Sequence, residues 1–294
     1  MVADNFEDAM LYKSADDWDN APHKRVMLFG MSGLGKTYLS EILRANGNWF
    51  HYSVDYRIGT RYMGEHIADN FKREAMKVPF LAELLRSDAI YIGANLRFSD
   101  LSALSTYLGK PGDISKGGIE FPEFLRRQRL HRAAEISAMK DTVYFQERAQ
   151  QIYNYQNFIC DTSGSVVEVV DAADDNDPVL SYVSQHVLPV WIEGGAGHND
   201  ELVRRFQANP KPIYYPENFL IECWERYLDT HALRPEQVDP DAFIVWGYRQ
   251  LMEHRLPRYR KIAQNWGVTI QSEDVSNIRT EQEFNALVSR ALRA

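Results

Sequence analysis

The sequence predicts an α/β protein in which helices cover both faces of a parallel β-sheet. Short apolar runs, rich in aromatic and β-branched residues, are typical of strands. Segments with apolar residues at helical spacing separate these runs, and this alternation produces parallel sheets through right-handed crossovers. A glycine-rich loop lies between the first run and the helix after it. The predicted strands cover residues 25–29, 50–54, 157–160, 187–192 and 267–270.

The glycine-rich loop is the most specific motif in the chain. Residues 30–37 read GMSGLGKT and fit the pattern G-x-x-x-x-G-K-[ST]. The run before it has the character of a buried central strand, and helical spacing follows as far as a predicted stop at Gly47. Strand, loop and helix together present backbone N–H groups at a positive helix end, which suits a polyphosphate. The motif predicts a nucleoside triphosphate site formed by Gly30, Met31, Ser32, Gly33, Leu34, Gly35, Lys36, Thr37 and Tyr38.

Four side chains are candidates for the chemistry at this loop. Lys36 would reach the β- and γ-phosphates, and the hydroxyl of Thr37 would bind Mg²⁺. Asp55 and Asp161 follow the second and third predicted strands, at the edge where parallel sheets bind their ligands. We expect Asp161 to hold the metal or its water and Asp55 to act as general base toward an attacking hydroxyl. The alternative is that each Asp only caps a following helix or turn, and the Walker-B-like run before Asp161 favours function there.

Basic residues are needed where negative charge spreads over a transferring phosphoryl group. Arg204 and Arg205 follow the fourth strand in a segment that would close over the nucleotide. Arg57 and Arg61 lie just beyond Asp55, where a second substrate would bind. We therefore expect the first pair to stabilise the phosphoryl group and the second pair to bind the acceptor.

A long, very basic helix is predicted to begin at Pro122. Two interpretations of its arginines remain open. They form a solvated face paired with Glu123 and Glu135, or they recognise an anionic substrate. The arginines are Arg126, Arg127, Arg129 and Arg132.

Composition limits the remaining classes of function. The chain has 294 residues, of which 45% are hydrophobic and 25% charged, and a formal net charge of −8. This acidic balance argues against a general nucleic-acid binder. No apolar run approaches the roughly 18 residues that span a bilayer, and the acidic N-terminus is unlike a signal peptide. The two cysteines, Cys160 and Cys223, lack metal-ligand spacing, so we expect a reduced, cytoplasmic protein. The histidines form no metal-ligand motif, and His131 and His198 fit surface roles.

The order of patterns predicts one nucleotide-binding domain with additions. Residues 1–22 form an acidic arm, and residues 23–294 form the domain. A helical insertion covers about 62–155 and a lid or insert about 195–250. Within the first insertion, one helix contains Ile67 and Ala75, Pro79 opens a second, and Ser99 caps a third. The glycines at 194–197 indicate a turn rather than a dinucleotide fingerprint.

These residues resemble the shikimate-kinase and nucleoside-monophosphate-kinase branch of P-loop proteins. Besides the loop, residues 53–59 (SVDYRIG) resemble that branch's substrate-binding strand end, where an Asp contacts the accepting hydroxyl. Residues 161–164 (DTSG) stand where shikimate kinases carry a glycine-rich substrate loop, which makes Thr162, Ser163 and Gly164 candidate substrate contacts. Residues 190–214 follow the order of strand, helix and lid, and Arg255–Tyr259 resembles the helix that completes the adenine pocket.

The resemblance implies a three-layer α/β/α fold with a five-stranded parallel sheet of order 2-3-1-4-5. It also implies a mobile lid and Mg²⁺-assisted, ATP-dependent phosphorylation of a small molecule. Two departures matter: Ser53 replaces an acidic residue of the family, and Thr162 and Ser163 replace glycines. We therefore expect an acceptor other than shikimate.

Two rival functions are compatible with the same loop. One is an ATP- or GTP-hydrolysing switch whose helical insertion binds a protein partner. The other is a group-transfer enzyme that docks RNA or a nucleotide-linked substrate on the arginine helix, and the acidic composition argues against it. Hydrolysis without an acceptor, or steep salt dependence of RNA binding, would distinguish these rivals from a kinase.

Overall fold

The computed structural model describes residues 10–45, 48–98, 100–195 and 197–294. The predicted helix stop at Gly47, the predicted cap at Ser99 and Ala196 of the predicted turn lie outside these ranges. So do residues 1–9 of the predicted N-terminal arm.

The central sheet has five strands, and all of its pairings are parallel. Their order is β2-β3-β1-β4-β5, which confirms the predicted α/β fold class and strand order. The carboxyl ends of parallel strands share one edge of a sheet, where such folds bind ligands. The strands are β1 (Arg25–Phe29), β2 (Trp49–Ser53), β3 (Asn157–Asp161), β4 (Leu188–Glu193) and β5 (Val268–Gln271).

The strand register places Asp161 at this carboxyl edge. Leu28 of β1 and Ser53 of β2 both pair with Asp161, which is the last residue of β3. Strand β1 lies between β3 and β4, and its residues 26–29 are all buried. A parallel strand with neighbours on both sides and helices on both faces has an apolar sequence throughout. The loop after β1 therefore starts from the middle of the sheet.

The chain divides into two compact units. The first consists of the described parts of residues 1–54, 139–208 and 248–294, and the second of residues 55–138 and 209–247. The helices are α1 (Ala15–Asn20), α2 (Lys36–Ala45), α3 (Val54–Arg57), α4 (Gly64–Ala75), α5 (Pro79–Arg86), α6 (Ser102–Leu108), α7 (Phe121–Tyr153), α8 (Val166–Val169), α9 (Pro178–Ser184), α10 (His198–Ala208), α11 (Glu217–His231), α12 (Pro240–Trp266), α13 (Ser272–Asn277) and α14 (Glu281–Leu292).

In the first unit, the described part of the N-terminal segment packs on the C-terminal helix. Helix α1 begins at Ser14, whose hydroxyl accepts a hydrogen bond from the Asp17 amide at 3.1 Å. Trp18 is fully buried, and its Nε1 donates to the carbonyl of Asn285 on α14 at 3.1 Å. The ring of Tyr12 meets the Trp18 ring edge-on at 5.1 Å. Both chain ends therefore contribute to one core.

The second unit is helical and has its own aromatic core. The Phe121 ring at the start of α7 stacks on Trp224 of α11, with ring centroids 4.7 Å apart. Trp224 in turn meets Phe243 of α12 edge-on at 4.9 Å, and Tyr227 meets the same Phe243 at 5.3 Å. The predicted helices around Ile67, after Pro79 and after Pro122 are present as α4, α5 and α7.

Among the helices listed above, none combines the length and the apolar composition that crossing a membrane requires.

Loss of the Trp18 side chain should destabilise the first unit. We expect Trp18→Ala to lower the free energy of unfolding by about 3–5 kcal/mol, because a fully buried aromatic ring is replaced by a cavity. Urea denaturation followed by far-UV circular dichroism measures this change. Ile152→Ala, at a side chain that is 54% exposed, is the matched control and should change stability by less than about 0.5 kcal/mol. Equal midpoints for the two variants would contradict the proposed packing.

Candidate functional site

The loop between β1 and α2 has a backbone that only glycines tolerate well. Gly30, Gly33 and Gly35 have φ values of 140°, 78° and 94°, a region that L side chains rarely adopt. A Cβ atom at Gly30 would lie 2.7 Å from the carbonyl oxygen of Ile192, and one at Gly35 would lie 2.7 Å from Cγ1 of Val275. Helix α2 begins at Lys36, immediately after the loop. The arrangement forms an anion-binding nest at a helix N-terminus.

The Lys36 side chain folds into the loop. Its Nζ donates to the carbonyl oxygens of Gly30 at 2.8 Å and Met31 at 2.9 Å. The ammonium group is therefore held above the loop backbone. An anion bound to the loop amides would lie within reach of this positive charge.

Thr37 and Asp161 come together at the edge of the sheet. Thr37 Oγ1 lies 3.5 Å from Asp161 Oδ2, and His51 Nε2 lies 3.7 Å from the same oxygen. The Asp161 side chain is 13% exposed, so one part of the carboxylate remains open to a ligand. The hydroxyl and the carboxylate were the two predicted metal ligands.

These two oxygens fit Mg²⁺. Magnesium prefers oxygen ligands, and proteins commonly hold it through one or two side chains together with substrate phosphates. The described residues contain no cluster of three or more His, Cys, Asp or Glu side chains suited to a metal ion. A hydroxyl and a carboxylate are the kind of ligands that hold Mg²⁺ together with the phosphates of a bound ligand.

The two candidate arginines on α10, the helix after β4, point in different directions. A Cβ atom at Gly33 would lie 3.4 Å from Arg205 Nη1, so the Arg205 guanidinium lies over the loop. Arg204 points elsewhere: it pairs with Glu201, and its side chain is 78% exposed. Neighbouring residues on a helix project about 100° apart, which explains why one arginine faces the loop and the other faces solvent.

His198 also contacts the loop, contrary to the surface role expected from the sequence. Its Nε2 lies 3.3 Å from the carbonyl oxygen of Ser32. A Cβ atom at Gly33 would lie 4.0 Å from His198 Cε1. The first residue of α10 is therefore in contact with the glycine loop.

The predicted substrate loop at 162–164 is tied to the sheet by its own hydrogen bonds. The backbone N–H and the hydroxyl of Thr162 both donate to the carbonyl of Leu28, at 3.1 and 2.9 Å. The Ser163 hydroxyl accepts from the Ser165 amide at 2.8 Å. Both side chains are buried. These bonds fix the loop beside β1, and the roles of Thr162, Ser163 and Gly164 in binding a substrate stay predictions.

A buried charge cluster lies behind Gly164. Arg255 Nε donates to Glu168 Oε1 at 3.1 Å, and His254 Nδ1 lies 3.3 Å from the same oxygen. A Cβ atom at Gly164 would lie 3.6 Å from Arg255 Nη1 and 3.6 Å from the hydroxyl of Tyr259. The sequence linked Arg255 and Tyr259 to the adenine pocket. The structure places both of them against the predicted substrate loop. Tyr259 also lines a cleft beside the glycine loop, and its role at the adenine base stays a prediction.

The electrostatics of this cluster favour its charged form. Burial alone would raise the pKa of Glu168, but the His254 hydrogen bond and the charges of Arg255 and His254 outweigh it and lower that pKa. Burial alone would lower the pKa of Arg255, yet nearby Tyr259 and Glu168 raise it. Burial also raises the pKa of Tyr248, while the charges of Arg255 and Arg205 oppose that rise. Two guanidinium groups therefore lie near the Tyr248 hydroxyl.

Two clefts open beside the loop in the first unit. The larger, of about 540 Å³, lies between the loop and α13, and we call it the α13 cleft. A second cleft of about 260 Å³ lies on the other side of Leu34 and includes Trp191, Glu193 and Tyr259. Ligand sites commonly have volumes of roughly 300–1,000 Å³, and the α13 cleft lies within this range. Its lining residues are Gly33, Leu34, Gly35, Tyr38, His198, Ser272, Glu273, Val275, Ser276 and Arg279.

Three predicted site residues belong to the second unit. Asp55 and Arg57 lie on α3, and Arg61 lies in the helical turn Ile58–Tyr62. Asp55 lies two residues after Ser53, which is the β2 residue that pairs with Asp161. The Arg57 guanidinium lies 5.6 Å from the centre of the Tyr62 ring. The acceptor-binding roles of these residues stay predictions.

Three arginines of α7 are engaged in ion pairs within the second unit: Arg126, Arg127 and Arg129. Arg126 and Arg127 both donate to Glu123, at 2.7 and 2.8 Å. The hydrogen bond from Arg126 is the main cause that lowers the Glu123 pKa to about 2, with burial opposing it and Arg127 assisting. Arg129 donates to Glu217 of α11 at 2.8 Å. These pairs favour the ion-paired interpretation of the helix over recognition of an anionic substrate.

Glu135, which was expected on a solvated face, lies instead on the buried side of α7. Its side chain is fully buried, and its Oε2 lies 3.6 Å from Nδ1 of His131. His131 is itself buried and stacks on the Tyr214 ring at 4.9 Å, so it has no surface role. Residues 127, 131 and 135 follow one another at four-residue spacing, so the buried side chains of Arg127, His131 and Glu135 share one side of α7.

Comparison with solved structures finds distant similarities. A solved structure of shikimate kinase from Bacteroides thetaiotaomicron is 16% identical to the chain, with a TM-score of 0.38, and the match covers 91% of this chain and 95% of that one. No family model matches the chain, and no curated protein matches its sequence. A similarity of this degree decides neither family nor activity. The fold rests on the strand order, and the site rests on the contacts above.

Substitution of Gly35 should abolish nucleotide binding. We expect Gly35→Ala to weaken Mg·ATP binding by roughly 100-fold or more, because the new Cβ requires both a strained φ and displacement of Val275. Fluorescence titration with a labelled nucleotide measures the affinity, and circular dichroism verifies the fold. Gly117→Ala is the control: its φ is 82°, but a Cβ there has nothing within 4 Å. Equal affinity in the two variants would exclude this loop as the binding site.

The stability of the first unit should depend on pH through Glu168. Its pKa in the folded protein lies below the ordinary value of 4.5, so its contribution is complete above pH 4.5 and is lost as the pH falls through the folded value. We expect Glu168→Gln to cost about 3 kcal/mol at pH 7, because it leaves a buried guanidinium without its charge partner. The loss should shrink at acidic pH.

Urea unfolding at a series of pH values tests this expectation. Glu201→Gln, at the exposed pair with Arg204, should change stability by less than about 1 kcal/mol at every pH. A Glu168→Gln protein whose stability falls with acidification as steeply as that of the native protein would refute the role of the buried carboxylate.

Proposed function

We propose that the protein is a nucleoside-triphosphate-dependent phosphotransferase that phosphorylates a small-molecule acceptor. ATP is the donor that the sequence resemblance implies. The observation that carries the proposal is the 3.5 Å approach of Thr37 Oγ1 to Asp161 Oδ2 beside the glycine loop. A loop amide nest, a lysine and a hydroxyl–carboxylate pair are the parts that phosphoryl transfer requires.

The glycine loop would bind the phosphates. Its amides and the Lys36 ammonium would contact the phosphate oxygens, with Nζ exchanging the carbonyls of Gly30 and Met31 for the ligand. Thr37 and Asp161 would hold Mg²⁺, which neutralises charge on the phosphates when it is bound.

Arg205 is the arginine we assign to the transferring phosphoryl group. It lies over Gly33, whereas Arg204 is held outward by Glu201. A guanidinium placed where charge develops lowers the barrier to transfer. Closure of α10 over the loop would also exclude water from the site.

Asp55 is our candidate for the general base or acceptor-orienting residue. Its support is its place in the chain, two residues beyond the β2 residue that pairs with Asp161. Arg57 and Arg61 follow within one and a half helical turns and would bind the acceptor. In the first unit, the buried Arg255 beside Gly164 is paired with Glu168 next to the predicted substrate loop.

A screen of metabolite pools for phosphorylated products tests the proposal. The protein is incubated with a metabolite pool and Mg·ATP or Mg·GTP, and new phosphate esters are detected by mass spectrometry. Lys36→Ala should lower turnover by roughly 100-fold or more and serves as the negative control. Rapid nucleotide hydrolysis without any acceptor would instead identify a hydrolase or switch.

The role of Asp55 has its own test once an acceptor is known. We expect Asp55→Ala to lower kcat by roughly 10²- to 10⁴-fold while the affinity for Mg·nucleotide stays within about twofold, because a general base acts only on the accepting hydroxyl. Single-turnover kinetics and nucleotide titration measure the two quantities separately. Full transfer activity in this variant would remove Asp55 from the mechanism.

A further inference from the structure

The α13 cleft carries charged groups that a phosphate site does not need. The cleft is lined by Gly33 and Gly35 of the loop on one side and by α13 on the other. A nucleotide that bound the loop through its phosphates and extended into this cleft would place its base against α13. A Cβ atom at Gly35 would overlap Val275 of α13 at 2.7 Å, which shows how closely this helix packs on the loop. Among the described residues that line the cleft, Glu273 and Arg279 are the ionised side chains, beside the imidazole of His198.

The Arg279 guanidinium is anchored in the cleft wall. Its Nη1 donates to the carbonyls of Ser276 at 2.6 Å and Ile278 at 2.7 Å, and it also bonds to the Tyr38 hydroxyl. The guanidinium carbon lies 5.8 Å from the centre of the Tyr38 ring. All hydrogen bonds of this side chain to described residues come from Nη1. The N–H groups of Nε and Nη2 can therefore donate to a ligand. The hydrogen bonds of Nη1 hold them in a fixed position.

The Glu273 carboxylate has accepting capacity in the same cleft. A Cβ atom at Gly195 would lie 2.6 Å from Glu273 Oε1, so the side chain extends from α13 toward the loop after β4. The hydrogen bonds recorded at this residue, from Ser276 Oγ and Asn277 Nδ2, go to its backbone carbonyl. Within the described chain no group donates to the carboxylate itself, and its two oxygens can accept a pair of donors from a ligand.

We infer that the α13 cleft selects a guanine base over adenine, and hence GTP over ATP as the nucleotide. This inference rests on the proposed function. Guanine presents the acceptors O6 and N7 on one edge, and the donors N1–H and N2–H₂ next to O6. A carboxylate accepts the two donors together, and a guanidinium donates to the acceptors. Glu273 and Arg279 supply one group of each kind.

Adenine fits the same groups poorly. Its N6 amino group is a donor between the acceptors N1 and N7, and the side chains that match this pattern are Asn and Gln. Neither type occurs among the described residues that line the α13 cleft. A carboxylate that accepts from N6 would also face the lone pair of N1, which repels it. The nucleotide predicted from the family resemblance is therefore not the one that these side chains favour.

Nucleotide titration of the full-length protein tests the inference. The probes are Mg·GTP, Mg·ATP and Mg·ITP, where hypoxanthine is guanine without the 2-amino group, and inorganic triphosphate reports the loop alone. We expect GTP to bind roughly tenfold or more tightly than ATP, with ITP between them, because each hydrogen bond to a charged group adds to affinity. Isothermal titration calorimetry gives all four dissociation constants.

Two variants identify the group that selects the base. Glu273→Gln should weaken the binding of GTP by roughly tenfold. It should leave the binding of ATP unchanged or make it tighter, since an amide matches adenine. Asp274→Asn removes the neighbouring carboxylate of α13, which does not line the cleft, and should leave the GTP-to-ATP ratio unchanged. Inorganic triphosphate should bind all three proteins equally.

The outcomes separate this inference from the proposed function. Two results would overturn guanine selection while leaving nucleotide binding intact. One is that the native protein binds ATP as tightly as GTP or more tightly. The other is that Glu273→Gln lowers the affinities for GTP and ATP by the same factor. Failure of every probe, including inorganic triphosphate, to bind the native protein would overturn the proposed function together with the inference.

Discussion

The left-handed backbone of Gly30, Gly33 and Gly35 is the constraint on which the rest of the site depends. The loop makes its turn in the small space between the carbonyl of Ile192 on β4 and the Val275 side chain on α13. Only glycine fits both the torsion angles and the approach distances. Because β1 is the central strand, this turn emerges between β3 and β4, and side chains from both flanking crossovers converge on it. Asp161 at the end of β3, and His198 and Arg205 on the helix after β4, lie near the loop because β1 is between these two strands.

Charge around the loop is arranged in two different ways. Lys36, Arg205 and Arg279 bring positive groups to surfaces that a ligand can reach. Arg255 instead is buried with Glu168 and His254, so that its charge is balanced within the protein. Removing a partner from such a pair is costly because it leaves an uncompensated charge in a medium of low polarity. The cluster therefore ties α8 to α12 and fixes the loop at 162–165, whichever ligand occupies the site.

The second unit uses its charges mainly for its own structure. The arginines of α7 that drew attention in the sequence hold Glu123 and Glu217, within a layer of helices built on aromatic contacts. The buried side of the same helix carries His131 and Glu135. A count of basic residues overestimates the anion affinity of such a surface, because each paired guanidinium is already compensated.

Local patterns were sufficient for the α/β fold class and for the glycine loop. The strand runs and the helix that follows Lys36 agree with the structure, since apolar periodicity and glycine torsion are properties of short segments. The order 2-3-1-4-5 was implied by the family resemblance, and the structure confirms it. Contacts between distant segments were not accessible in this way. Which of Arg204 and Arg205 faces the loop follows from the rotation of α10 on the sheet. The pairing of Glu168 with Arg255 joins two helices that are adjacent only after folding. The approach of Glu273 to Gly195 also joins segments that are distant in the sequence. The sequence by itself determined the α/β fold class and the position of the glycine loop, and its resemblance to a known family supplied the strand order. The direction of each charged side chain was decided by the tertiary structure, because packing sets helix rotation and no local pattern encodes it.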